Sequence, residues 1–125
     1  MTAQIQQLTP ELTLERINEI PVLTLNHSVG SARIALQGAQ LLNWKPKGAE
    51  QDVFWLSDIE PFTQGVAIRG GVPLCYPWFG GVKQPSHGTA RLRLWQLSDY
   101  DLQANKVRLE FSLFSEYGAI EAKMK

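Results

Sequence analysis

A single cysteine, Cys75, rules out an internal disulfide. Only two histidines accompany it, so the chain offers no zinc-ligand spacing. No excess of one charge exists either: twelve Lys and Arg balance twelve Asp and Glu. Without a basic or acidic surplus, a nucleic-acid or membrane-surface partner is not expected. The apolar runs are too short to cross a bilayer. The N-terminus, MTAQIQQLTPELTLER, lacks the charged-then-apolar pattern of a signal peptide, so a cytoplasmic location is expected. Internal repeats and low-complexity tracts are also missing. At 125 residues the chain can bury one core.

What is present is mostly strand-like. The first ten residues are polar and read as a frayed or loosely docked lead-in. From Leu12 the pattern alternates, with Leu12, Leu14 and Arg16 opposite Thr13, Glu15 and Ile17. Val22–Asn26 is a short β-prone run. In the next, Ala32, Ile34 and Leu36 oppose Arg33 and Gln37. Gly38 reads as a bulge or turn before a strand at Ala39–Trp44. Another short strand is expected at Val53–Leu56. Leu92–Leu102 and Lys106–Phe114 read as a hairpin joined near Gln103–Asn105, with Val107, Leu109, Phe111 and Leu113 on one face. The sole helix candidate is the tail, Ser115–Lys125. Many short strands between turn signals predict an all-β, antiparallel β-sandwich or barrel.

The stretch Ala67–Arg93, AIRGGVPLCYPWFGGVKQPSHGTARLR, departs from this regularity. It holds five glycines, three prolines, three aromatics, one histidine and three arginines. Glycines permit backbone angles and close approaches closed to other residues, and prolines fix the direction of the chain. Loops of this composition build sites on rigid scaffolds. A P-loop is not among them, because there is no G-K-[ST] and no strand-to-helix pattern.

IRGGVPLCYPWFGG followed by PSHGTAR resembles the N-terminal half of the hexose-6-phosphate mutarotases (glucose-6-phosphate 1-epimerases) of the aldose 1-epimerase superfamily. The resemblance runs from about Val29, through ARIALQGAQLLNWKP and DVFWLS, to about Leu113. It implies a supersandwich of two large antiparallel sheets, of which residues 1–125 would be the N-terminal portion and 115–125 a divergent tail. The implied activity interconverts the α and β anomers of hexose 6-phosphates. One group protonates the ring oxygen while another takes the proton of the anomeric hydroxyl, work suited to a histidine and a carboxylate, so the resemblance implies neither a metal nor an organic cofactor. The substrate's 6-phosphate carries close to two negative charges near neutral pH. Arginine suits it, because the guanidinium donates two parallel hydrogen bonds.

By this resemblance Arg69 of IRGG and Arg91 of HGTAR match the phosphate- and sugar-binding arginines, and His87 matches a sugar-binding histidine. Ser86 stands where family members often carry a substrate-contacting glutamine. The family's catalytic histidine and glutamate come from later in the sequence, beyond Lys125; neither His27 nor His87 matches that histidine. The tail FSEYGAIEAKMK lacks the family's continuation, as a frameshift, a premature stop or a split gene would each produce. A non-catalytic sugar-phosphate-binding module and an inactive fragment are the alternatives. An interrupted sandwich would expose strand edges and an apolar face, so self-association is expected.

Taken singly, several residues have plainer readings. An isolated arginine pairs a carboxylate, and a histidine before glycine is a turn residue. His27, between Asn26 and Ser28, reads as a turn residue, and Arg93 as a solvated strand residue. Trp44 and Trp55 read as core, Trp78 and Phe79 as bordering a pocket, and Cys75 as a buried, unreactive thiol.

Overall fold

A computed structural model describes residues 5–125 of the chain. Five strands, β1 (Ile5–Thr9), β2 (Leu12–Ile17), β3 (Ile20–His27), β4 (Gly30–Ala35) and β5 (Gln40–Pro46), form one antiparallel sheet in sequence order. Three more, β6 (Gln96–Gln103), β7 (Lys106–Phe114) and β8 (Ile120–Met124), form a second antiparallel sheet in the order β6-β7-β8. Among the described residues there is no α-helix, and the only helical turn is a 3-10 turn at Ala90–Leu92. Among the described residues no helix is long and apolar enough to cross a membrane.

The first sheet buries both of its faces, which explains why β3 is nearly continuous in apolar residues. On one side Leu12, Leu23, Leu25, Ala32 and Ile34 pack with Trp95, Phe111 and Leu113 of the second sheet and its approach. On the other, Ile20, Val22, Ala35 and Leu42 pack beneath Phe62 and Ile68 of the long segment between β5 and the 3-10 turn. Each fully buried Leu, Ile or Phe side chain contributes roughly 1.5–3 kcal/mol, so the second cluster fixes that long segment without regular strands. Trp44 packs against the first cluster.

Several expectations are corrected. The lead-in is a strand from Ile5, paired with β2, and residues 1–4 lie outside the described residues. The tail is not a helix: Gly118, at φ +85°, turns the chain back, and Ile120–Met124 pairs antiparallel with β7. There Ala122 and Met124 pack against the core, so the period is two. Val53–Leu56 forms no strand; its ties are Val53 N–H donating to Trp44 O at 2.8 Å and a single bridge from Leu56 to Gly70. Trp55 is 71% exposed, outside any core. The first arm of the hairpin begins at Gln96, because Ala90–Leu92 is taken by the 3-10 turn. Arg93 lies outside the strand and donates to Glu121 Oε2 at 3.0 Å and Phe114 O at 2.9 Å. Cys75 is only half-buried. Gln37, placed by alternation on the polar face with Arg33, is fully buried.

Candidate functional site

Arg69 sits on a segment whose backbone is fixed at almost every group. Its N–H donates to Glu60 Oε2 at 2.8 Å, and its carbonyl accepts from Ser57 N–H at 3.0 Å. The Glu60 carboxylate is shared, since Oε1 accepts from Phe62 N–H at 3.0 Å. On the other side, both protons of the Gln40 amide go to carbonyls flanking the arginine, Ile68 O at 3.2 Å and Gly70 O at 2.6 Å. Next along the chain, Gly71 N–H donates to Trp55 O and Val72 N–H to Leu41 O, both at 2.8 Å. Gly71, at φ +66°, lies so close to β5 that a Cβ there would collide with the Leu41 carbonyl. With the backbone consumed, the exposed Arg69 side chain is the free part of the residue. Its guanidinium makes no ion pair among the described residues. It lines an open cavity of about 390 Å³ with Ser57, Ile59, Glu60 and Val66.

The second half of the motif closes on itself. Tyr76 O accepts from Thr89 N–H and Ala90 N–H, both at 3.0 Å. Trp78 Nε1–H donates to Pro85 O at 2.8 Å. Gly80 and His87 are joined twice: His87 N–H donates to Gly80 O at 2.9 Å, and Gly80 N–H donates to His87 Nδ1 at 3.1 Å. Phe79, 73% exposed, meets the imidazole edge-on at 5.0 Å. Ser86 turns its hydroxyl onto Gly80 O at 3.3 Å. Arg91 donates from Nη2 to Ser86 O at 3.1 Å, and its Nε is buried without a protein partner.

The geometry assigns His87 a definite polarity. Nδ1 accepts a backbone proton, so the neutral ring carries its own proton on Nε2 and offers a donor there. No carboxylate shares a described hydrogen bond with this ring, so the usual orienting partner of a general base is not made within the described residues. Ser86, having donated its proton to Gly80 O, offers only oxygen lone pairs to a neighbour.

Ser86, His87 and Arg91 are thus linked to one another through the loop, while no described hydrogen bond joins Arg69 to any of them. What connects the two arginine segments is the β4–β5 turn, Leu36–Ala39, with Gln40 at the start of β5. Gln37 and Gln40 hold one segment through side chains; the main chain of Leu36 and Gly38 holds the other. The sequence reading missed these two glutamines and Glu60. Their signal was slight: a pair of polar residues three apart, bracketing Gly38 within an apolar stretch.

The chain is thus an antiparallel two-sheet protein that presents arginines and a histidine on glycine-rich loops. A family model described as aldose 1-epimerase matches residues 21–124, a span wider at both ends than Val29–Leu113 and including β8. A Haemophilus influenzae protein provisionally named a glucose-6-phosphate 1-epimerase is 56% identical over 124 residues, covering 98% of this chain and 46% of the relative. The crystal structure of HI1317 aligns with a TM-score of 0.95 and 65% identity over 98% of this chain and 46% of that one. A protein from Salmonella typhimurium (YeaD), provisionally described as a mutarotase, aligns with a TM-score of 0.84 and 46% identity over 89% and 38% of the two chains. The chain belongs to the aldose 1-epimerase family and has its mutarotase-like all-β fold. It spans less than half the length of these relatives.

Proposed function

We propose that this chain is the substrate-binding portion of a hexose-6-phosphate mutarotase, an isomerase that interconverts the α and β anomers of hexose 6-phosphates, notably glucose 6-phosphate. Arg69 and Arg91 bind phosphate and sugar oxygens. His87 donates from Nε2 to a sugar hydroxyl, and Ser86 shapes the loop while offering an acceptor. The observation that carries this reading is the state of Arg69, whose backbone is held on both sides while its guanidinium makes no ion pair among the described residues. A guanidinium held this way is preorganised for a bidentate contact with an anion. The names of the relatives point to the same chemistry.

The acid–base pair of the reaction is supplied by residues outside Met1–Lys125. His87 is oriented by a backbone amide rather than by a carboxylate, which suits binding better than proton transfer in the transition state. The same observation favours a second reading, a sugar-phosphate-binding module that has no turnover by itself.

Calorimetric titration with glucose 6-phosphate tests the binding. Charge-assisted hydrogen bonds contribute about 1.5–3 kcal/mol each, so Arg69→Ala is expected to weaken affinity by roughly tenfold or more. Unchanged affinity in that variant would remove the assignment. Magnetisation-exchange NMR between the two anomers then tests where the acid and base lie. Accelerated exchange that disappears in Arg69→Ala means the chain supplies its own acid and base, whereas binding without acceleration means a binding portion.

A further inference from the structure

We infer that Gln37 and Gln40 are positioning residues that fix Arg69 for its ligand, and that the β4–β5 turn sets the spacing between the Arg69 and Arg91 segments; this rests on the phosphate-binding reading of Arg69. Both glutamines are almost fully buried, at 0% and 1% exposure. A buried amide is costly unless its donors and acceptor are used. Here the use is specific. Gln37 clasps a turn of the backbone at both of its ends: its Nε2 donates to Val66 O at 2.8 Å, and its Oε1 accepts from Gly65 N–H at 2.8 Å. Gln40 donates to Ile68 O and Gly70 O, the carbonyls on either side of Arg69. Together the two side chains hold residues 65, 66, 68 and 70, where no regular strand exists.

The same turn works in the opposite direction through its main chain. Gly38 N–H donates to Arg93 O and Trp95 N–H donates to Leu36 O, both at 2.8 Å, around a bridge between Gln37 and Leu94. Arg91 lies two residues before Arg93. One short turn therefore anchors both arginine segments, one by side chains and the other by backbone. Displacing a binding group by about 1 Å can cost a hundredfold in a preorganised site. The amides thus matter to the ligand although they do not point at it.

The test uses the 125-residue chain and glucose 6-phosphate as the probe. In the wild-type chain, hydrogen exchange of the side-chain amides of Gln37 and Gln40 should be markedly slower than that of exposed glutamines. Exchange at the free rate would overturn the clamp without any variant having to fold. Gln40→Leu should weaken glucose 6-phosphate binding by about tenfold or more. It should speed exchange at the Gly71 and Val72 amides and leave the β6–β7 amides protected. Combined with Arg69→Ala it should add little further loss, because both changes remove the same contact. Equal affinity in wild type and a folded Gln40→Leu chain, or fully additive losses, would overturn the inference while leaving the Arg69 assignment standing. Absence of binding by the wild-type chain would instead overturn the Arg69 assignment and this inference with it.

Discussion

His87 and Gly80 are joined by two hydrogen bonds, His87 N–H to Gly80 O at 2.9 Å and Gly80 N–H to His87 Nδ1 at 3.1 Å. The imidazole thus serves as the loop's internal clasp, and only its Nε2 edge is left for a ligand. His87 also sits at φ +65°, which favours Gly, Asn or Asp over other residues. His87→Ala loses the side-chain bond and should cost about 1 kcal/mol in urea unfolding. His87→Asn tolerates the backbone angle and should cost less. Nitrogen NMR of the neutral ring should show the proton on Nε2. A proton found on Nδ1 would contradict the clasp.

The glycines of the motif are predicted to differ sharply. At Gly71 an added Cβ would meet the backbone of Leu41 and Leu42, which cannot retreat without opening the β5 contact. Gly71→Ala should therefore destabilise by on the order of 3 kcal/mol or more, or prevent folding. At Gly80 nothing lies within 4 Å of such an atom, and only the positive φ of +72° opposes it. Gly80→Ala should cost roughly 1–2 kcal/mol. Thermal unfolding of the two variants would rank them, and equal losses would mean that the approach at Gly71 is looser than described.

The strands β2 to β7 were legible from their apolar patterning, which recurs with period two in β2 and β7, whereas β1 and β8 were not. The β4–β5 turn was legible from Gly38, which lies at φ +75°. What escaped was whatever depends on a distant partner. Gln37 alternates correctly for a surface position, yet its amide is consumed by the backbone of the turn at Gly65 and Val66, far along the chain. Val53–Leu56 has strand-like composition but meets only one bridging neighbour, Gly70. Ser115–Lys125 is too short to show a period, and it becomes a strand only because β7 offers an edge. At the site, the identity of Arg69, His87 and Arg91 came from their motif. Their orientation needed the partners Glu60, Gln40 and Gly80, which no local pattern announces.

Asp99 and Arg108 give a pH dependence of known sign. Arg108 Nη2 donates to Asp99 Oδ2 at 2.8 Å across the β6–β7 hairpin. That hydrogen bond, with the attraction of the guanidinium, holds the Asp99 carboxyl below its usual 3.8. A depressed carboxyl contributes stability above its unfolded value, and the contribution is lost as pH falls through the folded value. Asp99→Asn should therefore lower the urea midpoint slightly near pH 7 and not at all near pH 2, with the difference shrinking at high salt because the pair is exposed. A gap that persisted in strong acid would mean that the substitution acts through something other than this charge.

Self-association is the remaining expectation. A cleft of about 460 Å³ opens between the sheets, lined by Leu25, Ile34, Trp44, Val107, Phe111 and Met124 among others. Its walls are mostly apolar, and among the described residues β8 leaves one backbone edge of the second sheet without a partner strand. An unpaired edge beside an apolar opening favours pairing with another chain. Glu121 and Lys123 on β8 moderate this, since charges on an edge strand disfavour stacking in register. Sedimentation velocity over a rising concentration series should therefore show reversible association. Replacing Ala122 with Pro should reduce it by removing a backbone donor on that strand, at some cost to the β7–β8 pairing. A strictly monomeric chain at about 100 µM, a concentration at which even weak contacts populate dimers, would show that the cleft and the β8 edge are closed in solution.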